Sequence, residues 1–412
     1  MSAENTLEEV FHKFLENDSI FRDRSVLTHD FIPQHFPHRD FQIRTLGEIL
    51  APALKGFKPS NLFIYGKTGT GKTAVIRYVL NILEKEARKL GSPTVTCYVN
   101  CRLIGSEYKI YTQFCKNLGY KVPFTGLSLS ELFSRFSSYL DESRSIFIVV
   151  LDEIDALVKS KGDNLLYHLT RINETLNFSK VSIIGISNDL KLKESLDPRI
   201  LSSLSEEEVI FNPYNAAELK DILVERAEMA FKESVIDEGT IALCAALAAS
   251  EHGDARRALD LLRIAGELAE REGSKTIEER HIRRAERKIE RDRVIEAISS
   301  LPLHSKLIIF SLYLRERKLH QHSITGEIFN VYKNVCSKLG INPLTQRRIS
   351  GLINELDIIG LLNAQVTSFG RYGRSKKIKL NIDEDIILKV FSMDERLSTL
   401  LNSKLDSIYK FK

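Results

Sequence analysis

The chain has 412 residues, 43% of them hydrophobic and 28% charged, with 21 glycines and 10 prolines. That length exceeds a single small module, and that composition excludes wholesale disorder, collagen-like repeats and low-complexity linkers. Net charge is only +4, yet residues 295–412 hold 18 Lys and Arg against 11 Asp and Glu, so the positive charge belongs to the C-terminal third and points to a polyanion there.

No apolar run approaches the roughly 20 residues that cross a bilayer, and the first residues lack the basic start and apolar core of a secretory signal. The five cysteines (Cys97, Cys101, Cys115, Cys244, Cys336) are odd in number, form no C-x-x-C pair and sit inside apolar patterns. They read as buried thiols of a reducing cytosol. The expectation is a cytoplasmic protein with no membrane partner.

In chain order, the first strong signal is an apolar strand over 62–65, a glycine-rich stretch and a helical pattern over 74–80. Further strand-like runs at 94–99, 146–151 and 181–186 alternate with helical periodicity, which describes an α/β domain built on a parallel sheet. Beyond Tyr214 the strand-like runs stop. Segments 216–232, 238–249, 254–272 and 277–289 read as helices of a small lid. A charged helical stretch, 289–300, is broken by Pro302. Three helices (305–316, 324–339, 345–356) and two strands (361–368, 375–382) around a basic tip then follow in winged-helix order. The expected divisions are a nucleotide-binding base at 1–212, a helical lid at 213–293 and a winged-helix DNA-binding domain at 294–412.

Chemistry concentrates at a few places. Gly66-Lys67-Thr68-Gly69-Thr70-Gly71-Lys72-Thr73 fills the phosphate-loop pattern in the required setting between strand and helix. Glycines let backbone N–H groups turn towards phosphate oxygens, Lys72 reaches the β and γ phosphates, and Thr73 is a Mg²⁺ ligand. ATP or ADP with Mg²⁺ is the implied ligand. The strand over 146–151 ends in Asp152 and Glu153, where a parallel sheet presents ligand-binding groups. Asp152 would hold Mg²⁺, and Glu153 would orient or deprotonate the attacking water. Asp155 reads as an acidic helix start favoured by the dipole. Asn188, after the next strand, either holds that water against the γ-phosphate or simply forms a turn. Asp254 is an N-cap candidate. Arg256, in the first turn after it, would cross to the nucleotide, while Arg257 suits the surface or a salt bridge.

The basic tip offers Arg371, Tyr372, Gly373, Arg374, Lys376, Lys377 and Lys379 for phosphate and minor-groove contact. Thr345, Gln346, Arg347 and Arg348 open the preceding helix, whose N-terminal end would meet base edges in a major groove. A solvated basic hairpin serving solubility is the plainer reading of the same residues.

Together these motifs resemble the AAA+ replication initiators of the archaeal origin-recognition/cell-division-control type over about residues 20–390. The segments Phe31-Ile32-Pro33 and His38-Arg39-Asp40-Phe41-Gln42 look like that family's N-terminal segment around the adenine. Gly66–Thr73, Asp152–Asp155, Asn188 and 253–260 resemble its Walker A, Walker B, sensor 1 and sensor 2. The resemblance implies that Ile32, Pro33, Arg39, Tyr214 and Arg226 bind ATP with the phosphate loop, and that Glu153, Asn188 and Arg256 are catalytic. Arg199 matches the segment that carries a candidate arginine finger. It further implies a DNA-contacting insertion within 101–140, with Lys109, Lys116 and Lys121 as candidates. The implied partners are origin duplex DNA, paralogous initiator subunits and the replicative helicase, with slow ATP hydrolysis as a switch. Two rivals stay open: a transcription-type regulator with a vestigial ATPase, and a loader or remodelling ATPase whose winged helix grips protein.

Overall fold

The computed structural model describes residues 12, 18–123, 125–204, 206–319, 323–368 and 374–402. The chain divides into two compact units, residues 1–285 and 286–412.

In the first unit, helix α1 (Asp40–Leu50) precedes strand β1 (Leu62–Gly66), and α2 (Lys72–Leu90) leads to β2 (Thr94–Asn100). Three helices follow, α3 (Cys101–Ile104), α4 (Glu107–Asn117) and α5 (Leu129–Ser143), before β3 (Ile146–Asp152). Then come α6 (Ile154–Lys161), α7 (Asn164–Arg171), β4 (Lys180–Ser187), α8 (Leu192–Ser195), α9 (Pro198–Leu204) and β5 (Glu207–Phe211). The sheet runs β2-β3-β4-β1-β5 and is parallel throughout. All seven residues of β3 are buried, which is why its sequence is continuously apolar up to the carboxylate. One face packs Val150, Ile184 and Ile64 against Val75 and Ile76 of α2. The other packs Phe147, Val149 and Leu151 against Phe114 and Phe136 from α4 and α5. Because β1, β3 and β4 are neighbours, the loops at their C-terminal ends converge.

The lid comprises α10 (Ala216–Ala230), α11 (Glu238–Ser250) and α12 (Ala255–Glu272), followed by α13 (Glu279–Ser300). Asn215 and Glu218 form a reciprocal capping box at α10, and Gly273, at φ 73°, closes α12 in the left-handed conformation. The lid packs in the same unit as the base. The unit boundary falls within α13, ahead of the 293/294 division read from the sequence; the helix runs unbroken from 279 to 300 and nothing punctuates it where the composition shifts.

The second unit holds α14 (Leu303–Leu319), β6 (Ser323–Ile324), α15 (Thr325–Lys338), α16 (Gln346–Ile358), β7 (Leu362–Ser368), β8 (Arg374–Leu380), α17 (Glu384–Met393) and α18 (Glu395–Asn402). Its sheet is β6-β8-β7, antiparallel, and its core gathers Phe310, Tyr332, Ile353, Ile378 and Phe391. All five cysteines are buried and free, and among the described residues no helix is long and apolar enough to cross a membrane.

Candidate functional site: a nucleotide cleft and a basic winged helix

The phosphate loop links β1 to α2, with Gly69 and Gly71 at φ 71° and 90°. Both positions are crowded from outside. A Cβ on Gly69 would lie 1.7 Å from an Asp254 carboxylate oxygen, and one on Gly71 would lie 3.0 Å from the Tyr214 hydroxyl. Glycine is therefore required there twice over, for its backbone angle and for its missing side chain.

Lys72 is buried at 5% exposure, and its ammonium donates to the carbonyls of Gly66 (2.7 Å) and Lys67 (2.6 Å). Burial pushes it down to about 8 from the ordinary lysine value, against the opposing pull of Asp152. Asp152, also buried, accepts from the Thr73 hydroxyl at 2.7 Å and the Tyr98 hydroxyl at 2.6 Å on Oδ2, and from the Glu153 N–H at 2.9 Å on Oδ1. The Thr73–Asp152 contact places a hydroxyl and a carboxylate together beside the phosphate loop, a hard-oxygen donor set suited to Mg²⁺.

Glu153 has φ 53°, a left-handed backbone that costs a non-glycine residue energy and turns its carboxylate out of the strand direction. Asn100 donates to it at 3.5 Å, and Arg102 stands 3.7 Å away. Asn188 faces the same cavity from the end of β4. Its N–H and the Ser187 hydroxyl both reach Asp155 Oδ1, at 3.4 and 3.3 Å. Besides opening α6, Asp155 thus ties that loop to the Walker B helix.

The cavity is closed by the lid and the N-terminal segment. Ile32, Pro33, Thr68 to Thr73, Asp152, Glu153, Asn188, Tyr214, Arg226 and Arg256 all line it. Gly66, Lys67 and Arg39 do not. Arg39 instead acts from behind, at 3% exposure: it donates to the carbonyls of Thr70 (3.1 Å), Asn212 (2.8 Å) and His38 (3.2 Å), and its guanidinium lies 3.8 Å from the Tyr214 ring centroid. It holds the phosphate loop to the base–lid junction. Arg226 donates to the Val26 carbonyl and lies over Phe31, where burial lowers its affinity for the proton.

Asp254 caps α12, accepting from the N–H groups of Arg256 (2.8 Å) and Arg257 (3.3 Å). The Ala255 N–H donates to the Gly69 carbonyl at 3.1 Å, so the lid helix is hydrogen-bonded directly to the phosphate loop. The two arginines take different directions. Arg256 faces the cavity, whereas Arg257 is buried in a two-point ion pair with Glu251.

In the second unit, the Thr345 hydroxyl accepts from the Arg348 N–H, and Thr345, Gln346, Arg347 and Arg348 are all exposed at the start of α16. Arg348 pairs with Glu355 at 3.7 Å. Along β8, Lys377 and Lys379 point outwards opposite Gln365 and Asn363, while Lys376 lies on the inner side with buried Ile378 and donates to Asn354 at 2.5 Å. Arg371, Tyr372 and Gly373 lie outside the described residues, as does the side chain of Arg374.

Comparison with known proteins assigns these parts. Family models match residues 55–189 (AAA domain), 220–287 (Cdc6 AAA+ ATPase-type lid domain) and 296–390 (CDC6, C-terminal winged helix domain). The ORC1-type DNA replication protein 1 of Sulfolobus acidocaldarius is 52% identical over 389 residues, covering 94% of this chain and 96% of its own. The ORC1-type DNA replication protein of Thermococcus onnurineus is 49% identical over 402 residues, 97% of each. The chain belongs to the ORC1-type/Cdc6 family of archaeal DNA replication initiators.

A solved relative of this initiator, the Aeropyrum pernix ORC1 protein in complex with DNA, is 47% identical and superposes with a TM-score of 0.80 over 93% of this chain and 99% of its own. Two candidate regions of the initiator stand apart from the cleft. Arg199 makes a two-point contact with Asp197 (3.1 and 2.9 Å) and does not line the cavity of its own chain; those hydrogen bonds draw Asp197 down to about 2. The 101–140 stretch is folded through Tyr111, Phe114 and Phe136 into the core, leaving Lys109, Lys116 and Lys121 exposed on its surface. Tyr98, Asn100, Arg102 and the reach of Asp254 to Gly69 escape sequence reasoning. The only available signal for the first two is their alternate spacing at the end of β2, and that becomes useful only once β2 is known to flank β3.

Proposed function

We propose that this initiator is an ATP-operated switch that binds duplex DNA at replication origins and takes part in loading the replicative helicase. The observation that carries the reading is the assembly of Lys72, Thr73, Asp152, Glu153 and Asn188 around one cavity that Arg256 faces from the lid. Ile32, Pro33 and Tyr214 supply an apolar end for adenine, and the loop N–H groups with the α2 N-terminus cradle the phosphates. When bound, Mg²⁺ would neutralise phosphate charge and screen the attacking oxygen from its repulsion; Thr73 and Asp152 are the residues that would hold it. Lys72 leaves its two carbonyls for the β and γ phosphates. Glu153 takes the proton of the attacking water or orients it, Asn188 fixes that water, and Arg256 meets the γ-phosphate. Loss of that phosphate removes Arg256's counter-charge and lets α12 shift against Gly69.

DNA contact falls to Thr345 to Arg348 at the start of α16, to Lys377 and Lys379 on β8, and to Arg371, Tyr372, Gly373 and Arg374 around the tip, while Lys376, engaged with Asn354, braces the hairpin against α16. The solved ORC1 relative in complex with DNA supports DNA as the ligand of this chain. Paralogous subunits are further partners, and Arg199, which pairs with Asp197 within its own chain, would act in trans only where subunits stack.

Glu153→Gln should retain ATP binding while turnover falls by at least about 100-fold, since general-base catalysis contributes roughly 10² to 10⁴. Turnover at the parent rate would remove Glu153 from its role. Genome-wide mapping of bound DNA should find sites clustered at replication start regions; sites scattered before genes would favour a transcription regulator.

A further inference from the structure

Asp152 Oδ2 takes two hydroxyl hydrogen bonds, and the function just proposed uses only the one from Thr73. The other comes from Tyr98 at 2.6 Å, the shorter of the two. Tyr98 sits on β2 opposite Val150 of β3, two residues before Asp152, so that strand alternation puts the ring and the carboxylate on the same face of the sheet. The ring packs partly buried against the core that holds Ile148 and Val150. Arg77 of α2 covers it, with the guanidinium 4.2 Å from the ring centroid, and Arg77 itself lines the nucleotide cavity.

This geometry clamps a phenol between a core and a guanidinium and aims it at one carboxylate oxygen. With the Glu153 N–H on Oδ1 and Thr73 on Oδ2, Tyr98 completes three donors that fix the plane of the carboxylate. Tyr98 is also the one described side chain, among those donors, that comes from outside the phosphate-loop and Walker B segments. We propose that Tyr98 is a positioning residue for the divalent-cation site, holding Asp152 in the orientation in which it and Thr73 bind the Mg²⁺ of a nucleotide. The inference rests on reading Thr73 and Asp152 as the Mg²⁺ pair.

Tyr98→Phe tests it in the full chain, because phenylalanine keeps the ring for Arg77 and the core. Binding of a non-hydrolysable ATP analogue is measured in EDTA and across a Mg²⁺ titration, and bound Mn²⁺ is followed by electron paramagnetic resonance. Metal-free nucleotide affinity and the thermal midpoint of the nucleotide-free protein should stay at parent values. The Mg²⁺ concentration for half-maximal enhancement should rise about tenfold, as expected for loss of a partner that orients a metal ligand. Turnover lost at low Mg²⁺ should return at high Mg²⁺. Superposable Mg²⁺ and Mn²⁺ titrations for parent and variant would overturn the proposal. So would a variant whose metal-free affinity and thermal midpoint fall together, since Tyr98 would then be a packing residue. If the parent itself binds the analogue without regard to Mg²⁺, the assignment of Thr73 and Asp152 falls first.

Discussion

The nucleotide-binding unit and the C-terminal unit carry their positive charge in opposite ways. Around the phosphate loop three cations are buried and engaged: Arg39 and Lys72 give their N–H groups to backbone carbonyls, and Arg226 covers an aromatic ring. On the winged helix, Arg347, Lys377 and Lys379 are exposed and have no ion-pair partner among the described residues. A buried charge is tolerated only when paired, so its removal strands its partners, and the damage is large and little affected by salt. Exposed charges act through the summed field, each weakly and all screened. The first unit is therefore built for a ligand held at a fixed place. The second is built for a polymer whose phosphates repeat.

The largest effect belongs to Lys72, the most buried of the cations that line the cavity. Lys72→Ala should weaken ATP binding by about 1000-fold, in line with the roughly 2–5 kcal/mol lost when one partner of a buried charge pair is truncated. Calorimetry at 50 and 300 mM salt should give nearly the same loss. A loss that vanishes at high salt would make Lys72 behave like the lysines of β8 and break the contrast between the units.

A second test uses pH. In the nucleotide-free protein Lys72 sits at about 8, against 10.5 for an ordinary lysine. Between these values the unfolded chain binds a proton that the folded chain lacks, so the lysine's contribution to stability rises with pH through that window. Phosphate binding needs the ammonium and runs the other way. ATP affinity should be level below about pH 8 and fall roughly tenfold per unit above it, with proton uptake visible as a buffer-dependent heat of binding. Affinity level up to pH 10 would mean that the loop carbonyls keep Lys72 fully protonated.

The same contrast explains what was legible. The phosphate loop, Asp152-Glu153, Asn188 and Arg256 meet at one cavity, and each lies at the end of a strand or the start of a helix, where local pattern dictates position. The supporting shell is not local. Tyr98 and Asn100 reach Asp152 and Glu153 only through the β2–β3 pairing, and Arg39 reaches Thr70 and Asn212 across long stretches of chain. Strand β5 is passed over because it is an edge strand, with Glu207, Glu208 and Ile210 exposed and only Val209 and Phe211 buried, and so it lacks the apolar run of β3. Helices α17 and α18 are passed over as well. Ile386, Ile387, Val390 and Phe391 are half of a contact whose other half, Phe310 included, lies some eighty residues upstream.

The smallest effects sharpen the contrast within a single strand. The sequence shows Lys376, Lys377 and Lys379 as one basic run, but strand alternation separates them. Lys377 and Lys379 share the exposed face of β8, while Lys376 shares the inner side with Ile378 and spends its ammonium on Asn354 of α16. If duplex DNA lies on the exposed face, Lys377→Ala and Lys379→Ala should each lower the slope of log affinity against log salt by about 1, the value of one released counterion per phosphate contact. The two should add, since each neutralises a separate phosphate. Lys376→Ala should leave the slope nearly unchanged, because its loss costs a hydrogen bond to α16 and no phosphate contact. Three equal reductions would mean that DNA draws Lys376 away from Asn354 and reads the hairpin end-on. No reduction from any of them would move the phosphate contacts away from β8, and Arg347→Ala at the start of α16 should then lower the slope.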